Sequence, residues 1–132
     1  SPYDIYDTMH DGRALKDIKD AASIILSARP ALDGAVIFAR QALDMGEERL
    51  SDGIYATLLE TEGVKAVVFL KERKDGLEIG FRSKHRSGID VGALAATLGG
   101  GGHIHAAGAT VQMSPEEAER MLEKRFSELL DQ

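Results

Sequence analysis

The chain contains no cysteine and no tryptophan, and only three prolines. Without cysteine there is no disulfide frame, no thiol nucleophile and no thiolate zinc site. The same absence fits a reducing compartment, so a cytoplasmic location is expected. Aromatic residues make up 5% of the chain, which leaves few platforms on which nucleobases could stack. No apolar run approaches the ~18 residues of a membrane span, and no secretory signal pattern is legible, so no membrane partner is expected. No nucleophile–base constellation, paired-carboxylate motif or cluster of metal-ligating residues stands out. No catalytic residue and no metal ligand is therefore assigned in this chain.

What remains is globular. With 132 residues, 43% of them hydrophobic and 29% charged, the chain can bury a core of its own as one domain. Its net charge of −6 is uneven: −6 over residues 1–62, +3 over 63–110 and −3 over 111–132. An anionic ligand would be steered to the middle segment, where Arg82-Ser83-Lys84-His85-Arg86 lies, although a solvated strand end would carry the same charge.

The spacing of Leu15, Ile18, Ala22, Ile25 and Leu26 predicts a helix over 10–28, stopped by Pro30. Asp33-Gly34 reads as a turn, Ala35 to Ala39 as a buried strand, and 41–50 as a loop or short helix. Ser51-Asp52 can cap a helix to about Thr61, with Ile54, Leu58 and Leu59 inward and Gly63 after it. Val64 to Leu70 is apolar on both faces, as a central strand is. Asp75-Gly76 is a hairpin turn pair, followed by alternating Leu77, Ile79 and Phe81. That period places Glu78, Gly80 and Arg82 on the opposite face. Asp90 caps a helix from Val91 to about Leu98, with Gly99 as its stop. Ala107 to Met113 is a last strand. Ser114-Pro115-Glu116-Glu117 opens a terminal helix whose core stripe is Ala118, Met121, Leu122, Phe126, Leu129 and Leu130. The order implies an α/β fold, a mixed β-sheet flanked by helices in a single domain.

One stretch is unusual: Gly99-Gly100-Gly101-Gly102-His103-Ile104-His105-Ala106-Ala107-Gly108. Each glycine in a regular element costs roughly 0.5–1 kcal/mol relative to alanine. A chain keeps such a run where the backbone takes positive φ or lies close to something. Successive N–H groups without Cβ atoms can form a concavity for phosphate oxygens; a flexible connector would also be glycine-rich. The run is no P-loop, since no Gly-Lys-Ser/Thr follows, and no dinucleotide fingerprint, since it follows a helix and leads to a strand. His103 can donate to a phosphate or base, or help protonate a leaving oxygen; it can equally bond nearby backbone. His103 and His105 could form a metal pair, but no carboxylate is near in sequence. His10-Asp11 and His85 read as surface residues. Arg82 offers a planar donor fork suited to phosphate, against a plain ion pair with Glu78.

Phe81-Arg82-Ser83, Ile89-Asp90-Val91, Gly99-Gly100-Gly101-Gly102-His103 and Ala106-Ala107-Gly108 together closely resemble the DHH-associated C-terminal domain, the second domain of DHH-superfamily phosphoesterases. The nearest likeness is to the RecJ-like, nano-RNase and cyclic-dinucleotide phosphodiesterase branch. The motifs cover 81–108, and the element order extends the likeness over about 30–132. The resemblance implies that 1–30 are a connector segment and helix following a missing N-terminal catalytic domain, and that 31–132 are the substrate-binding domain. It implies a two-metal site, usually Mn2+, in that missing domain, which carries an Asp-His-His motif absent here. It further implies that Gly100, Gly101 and Gly102 contact substrate through their backbone, that His103 reaches towards a phosphate, and that Arg82, with Ser83, holds another phosphate or a terminal nucleotide. Expected partners are a short oligonucleotide, a cyclic dinucleotide or another phosphate ester, and the catalytic domain of the same chain. The fragment alone is expected to be silent. Two alternatives are an RNA-binding module like the C-terminal domain of alanyl-tRNA synthetase and a non-catalytic nucleotide sensor. The first lacks support from any long basic surface, and the upstream sequence would separate all three.

Overall fold

Strands of period two build the centre of the molecule, and among the described residues four helices cover it. The structure, a computed structural model, describes residues 15–43 and 51–131. In chain order these form α1 (Leu15–Leu26), β1 (Arg29–Ala31), β2 (Val36–Gln41), α2 (Ser51–Leu59), β3 (Ala66–Arg73) and β4 (Gly76–Ser83). They continue with α3 (Val91–Thr97), β5 (Gly101–His103), β6 (Ala106–Val111) and α4 (Pro115–Leu130). The strands make one mixed sheet in the order β1-β2-β3-β4-β6-β5. β2 and β3 are parallel and every other pair is antiparallel. A parallel pair needs a crossover connection, and α2 lies on it.

β3 is central, and Ala66 to Lys71 are buried on both of its faces. On one face Val68, Leu70, Ile79 and Phe81 pack with Val91 and Leu94 of α3 and Leu122 and Phe126 of α4. On the other, Ile37, Val67 and Phe69 pack with Ala21 and Ile24 of α1 and Ile54, Tyr55 and Leu58 of α2. The caps expected at Asp90 and Ser114 form, whereas Ser51 and Asp52 lie inside the first turn of α2. Asp90 accepts from the N–H of Ala93 at 2.9 Å, and Ser114 from that of Glu117 at 3.1 Å, with Pro115 at the first helical position. Charge ties α4 to the β1 edge: the buried Glu119 carboxylate accepts from both Arg29 and Arg40. Glu116 meets Arg40 as well. A hydrogen bond from its own backbone N–H, then Arg40, hold its carboxyl below the ordinary range. That contribution is present above the unfolded carboxylate value and is lost as pH falls through the lowered folded one.

Several expectations are corrected. The apolar stripe assigned to the first helix is not its buried face: Leu15, Ile18 and Leu26 are exposed, Leu26 at 86%, while Ala21 and Ile24 are buried. Two overlapping stripes exist in this helix, and the sheet takes the one through Ala21 and Ile24. The helix ends at Leu26, and Pro30 lies within β1, an edge strand where its missing N–H is tolerated. The β3–β4 turn residues are Lys74-Asp75, with Gly76 already paired to Arg73. The last strand ends at Val111. Residues 10–14 of the expected helix, His10-Asp11 and residues 44–50 lie outside the described residues.

Candidate functional site

The glycine run is not an open loop. Gly99 adopts φ +84° directly after α3. Its N–H donates to Ala96 and that of Gly100 to Ala95, the pattern of a Schellman cap. Gly101, Gly102 and His103 then form β5, a short edge strand that turns at Ile104-His105 and pairs with β6. Two glycines there are demanded by the fold. A Cβ on Gly100 would lie 2.1 Å from the Gly108 carbonyl oxygen. One on Gly102, where φ is +146°, would lie 2.5 Å from Ala107 Cα. Gly101 differs: its φ is not positive, and a Cβ would meet nothing within 4 Å. The fold itself gives no reason for glycine at Gly101.

Register shows what that position faces. Antiparallel partners share a face of the sheet, so Gly101, Gly108 and Gly80 form a row across β5, β6 and β4. The adjacent row is His103, Ala106 and Arg82. Both rows lie on the α1/α2 face, and among the described residues no helix covers β5 and β6 there. At a strand spacing of about 4.8 Å, His103 and Arg82 stand roughly 10 Å apart with only the methyl of Ala106 between them. The Ala-Ala-Gly string is now legible residue by residue. Ala106 and Gly108 keep the face low, whereas Ala107 turns to the other side and packs on the core.

Arg82 is held from three sides. Its guanidinium lies over the Tyr55 ring, 4.3 Å from the centroid. Nη1 donates to the Phe81 carbonyl at 3.0 Å, and Nη2 meets Asp52 Oδ1 at 3.5 Å. Tyr55 can lie there because β4 carries glycine beside it: a Cβ on Gly80 would fall 1.9 Å from the tyrosine oxygen. Gly80, Arg82, Tyr55, Asp52 and the buried Lys71 line one cleft of about 360 Å³, with Gly108 at its edge. The Lys71 ammonium sits 4.9 Å from the centre of the Phe69 ring. Glu78 pairs with Arg73 rather than with Arg82.

The expected site residues therefore divide. The structure brings Arg82, Gly101 and His103 to one face. Gly100 and Gly102 are positioned by close backbone packing. Ser83 points to the opposite side and is 4% exposed. Its hydroxyl lies 2.9 Å from the Ile89 oxygen, 3.1 Å from that of Ile104 and 3.0 Å from His105 Nδ1. It joins the β5–β6 turn to the loop before α3, and the His105 ring lies 5.0 Å from that of His85, tilted by 50°, in the same corner. Tyr55 and Lys71 were not singled out from sequence, and Asp52 was read only as part of a helix cap. The signal available was weak: one tyrosine on an otherwise aliphatic helix, three residues after an aspartate.

Among the described residues no group of three or more His, Cys, Asp or Glu is arranged to hold a metal ion. Among the same residues no helix is long and apolar enough to cross a membrane.

A similar domain occurs in known proteins. The bifunctional oligoribonuclease and PAP phosphatase NrnA of Thermus thermophilus is 38% identical over 98 residues, 73% of this chain and 30% of that protein. The chain thus spans less than a third of this curated relative. An exopolyphosphatase-related protein from Bacteroides fragilis has the same fold over 100% of this chain and 41% of its own, at 20% identity and a TM-score of 0.79. The pGpG-specific phosphodiesterase PggH from Vibrio cholerae matches 88% of this chain and 39% of its own, at 14% identity and a TM-score of 0.61. The DHHA1 domain model matches residues 33–131, which takes in β2 to α4 and both rows of the uncovered face. The chain belongs to the DHHA1 domain family, the DHH-associated C-terminal domain.

Proposed function

We propose that this chain is the substrate-holding part of a phosphoesterase, and that the uncovered face grips an anionic phosphate of a short oligonucleotide or related phosphate ester. The observation that carries the reading is Gly101. It is a glycine the fold does not require, set in a row of glycines next to the row that holds His103, Ala106 and Arg82. A ligand lying against the backbone explains what packing does not. Arg82 supplies charge-assisted donors from one side and His103 a ring N–H from the other. The floor between them admits a sugar or phosphate close to the main chain. The names of the relatives support the same substrate class, since one is an oligoribonuclease and another acts on pGpG. Water activation, and the Mn2+ expected with it, belongs in this reading to a separate catalytic domain of the same protein.

Titration of the chain with a 5′-phosphorylated diribonucleotide, followed by amide NMR, tests the site. Shifts are expected at Arg82, Gly101, His103 and Gly108. Shifts confined to α1 or α4 would remove the uncovered face from consideration. A second measurement concerns catalysis. With Mn2+ and the same diribonucleotide, the chain alone is expected to release no mononucleotide. Turnover that His103→Ala abolishes would contradict the division of labour.

A further inference from the structure

We propose that Asp52 is a built-in competitor for Arg82, a carboxylate that occupies the guanidinium until a phosphate displaces it. The proposal rests on the reading of the uncovered face as an anion site. Its geometry comes from α2. Asp52 and Tyr55 are three residues apart and so lie on one side of that helix. Tyr55 is 3% exposed, packs edge-on against Phe69 with ring centroids 5.5 Å apart, and fits its hydroxyl into the space left by Gly80. Once Tyr55 is docked, its ring fixes the plane of Arg82 at 4.3 Å, and Asp52 lies alongside with Oδ1 3.5 Å from Nη2.

The two contacts differ in permanence. The ring is part of the core and stays. The Asp52 side chain is 87% exposed, in the first turn of α2. It can swing into water while keeping its favourable place near the helix N-terminus. The second hold on Arg82, from its neighbour's carbonyl oxygen, lies within the chain and is indifferent to ligand charge. An incoming phosphate therefore exchanges with one carboxylate and finds a guanidinium already aimed. The exchange favours anions of higher charge, because the ligand must outbid a full negative charge. It also weakens binding overall.

The test compares Asp52→Asn, Asp75→Asn and Arg82→Ala in the full 132-residue chain, by titration with the 5′-phosphorylated diribonucleotide. Asp52→Asn is expected to bind roughly three- to ten-fold more tightly at low salt. The gain should shrink towards unity near 0.5 M salt, where the Debye length is only about 4 Å. Asp75→Asn, in the hairpin turn at the far end of β4, should bind as the parent does. Equal affinity in Asp52→Asn and the parent, with Arg82→Ala still losing binding, would overturn the competitor and leave the site intact. Equal tightening in both aspartate variants would also overturn it, since net charge alone would then explain the effect. If Arg82→Ala binds normally, the reading of the face itself fails.

Discussion

Replacing the four glycines one at a time by alanine should split them into three classes. Gly101→Ala should melt within about 0.5 kcal/mol of the parent, or slightly above it, because its φ is compatible and its Cβ meets nothing. Gly100→Ala and Gly102→Ala should each lose about 2–4 kcal/mol. The first drives a methyl into the backbone of β6, and the second adds an unfavourable φ to a 2.5 Å contact. Gly99→Ala should lose about 1 kcal/mol, the cost of placing a Cβ at a left-handed cap. Binding should follow a different order. Gly101→Ala raises a methyl in the glycine row beside His103 and should weaken the phosphorylated diribonucleotide at least ten-fold while the protein stays folded. Thermal melts and the NMR titration measure the two quantities separately. A Gly101→Ala protein that binds like the parent would remove the best argument for backbone contact with the ligand.

The core was legible in the sequence because burial in this fold follows simple periods. Leu77, Ile79 and Phe81 alternate, and Ala118, Leu122 and Phe126 recur every fourth residue; the structure buries all six. The caps were legible because Asp90 and Ser114 stand immediately before apolar helical patterns. The edges were not. β1 is three residues long and contains a proline, and β5 is three residues with two glycines; neither carries a pattern of its own. Such strands exist because a neighbour offers a pairing edge, which is tertiary information. The same limit applies to the site. Arg82, Gly101 and His103 could be picked out as residue types, but their common face depends on the register of β5 on β6 and of β6 on β4. Ser83 was grouped with Arg82 by adjacency, and in a strand adjacent residues point to opposite faces. Tyr55 and Asp52 come from an element more than twenty residues upstream, so no local spacing could announce them.

Arg82 and Ser83 therefore provide the sharpest contrast between neighbours. Arg82→Ala should lower affinity for the phosphorylated diribonucleotide by roughly ten- to a hundred-fold, as expected for loss of hydrogen bonds to a charged group worth about 1.5–3 kcal/mol. Stability should change little, because the arginine's partners are a ring face, one carbonyl and an exposed aspartate, none left buried and unpaired by the truncation. Arg82→Lys should recover only part of the binding. An ammonium has no planar fork and would not lie flat on Tyr55 in the same way. Ser83→Ala should do the reverse. It strips a buried hydroxyl from the Ile89 and Ile104 carbonyl oxygens and from His105, at a cost of about 1–3 kcal/mol. Once folded, the protein should bind nearly as the parent does, with any residual loss traceable to a looser β5–β6 turn that carries His103. Calorimetric melts and the titration, run on both variants, distinguish the roles. If Ser83→Ala abolishes binding without changing the melt, the hydroxyl reaches the ligand and the assignment of faces is wrong. If Arg82→Ala unfolds the chain, the stack on Tyr55 is structural rather than a way of aiming a cation at the substrate.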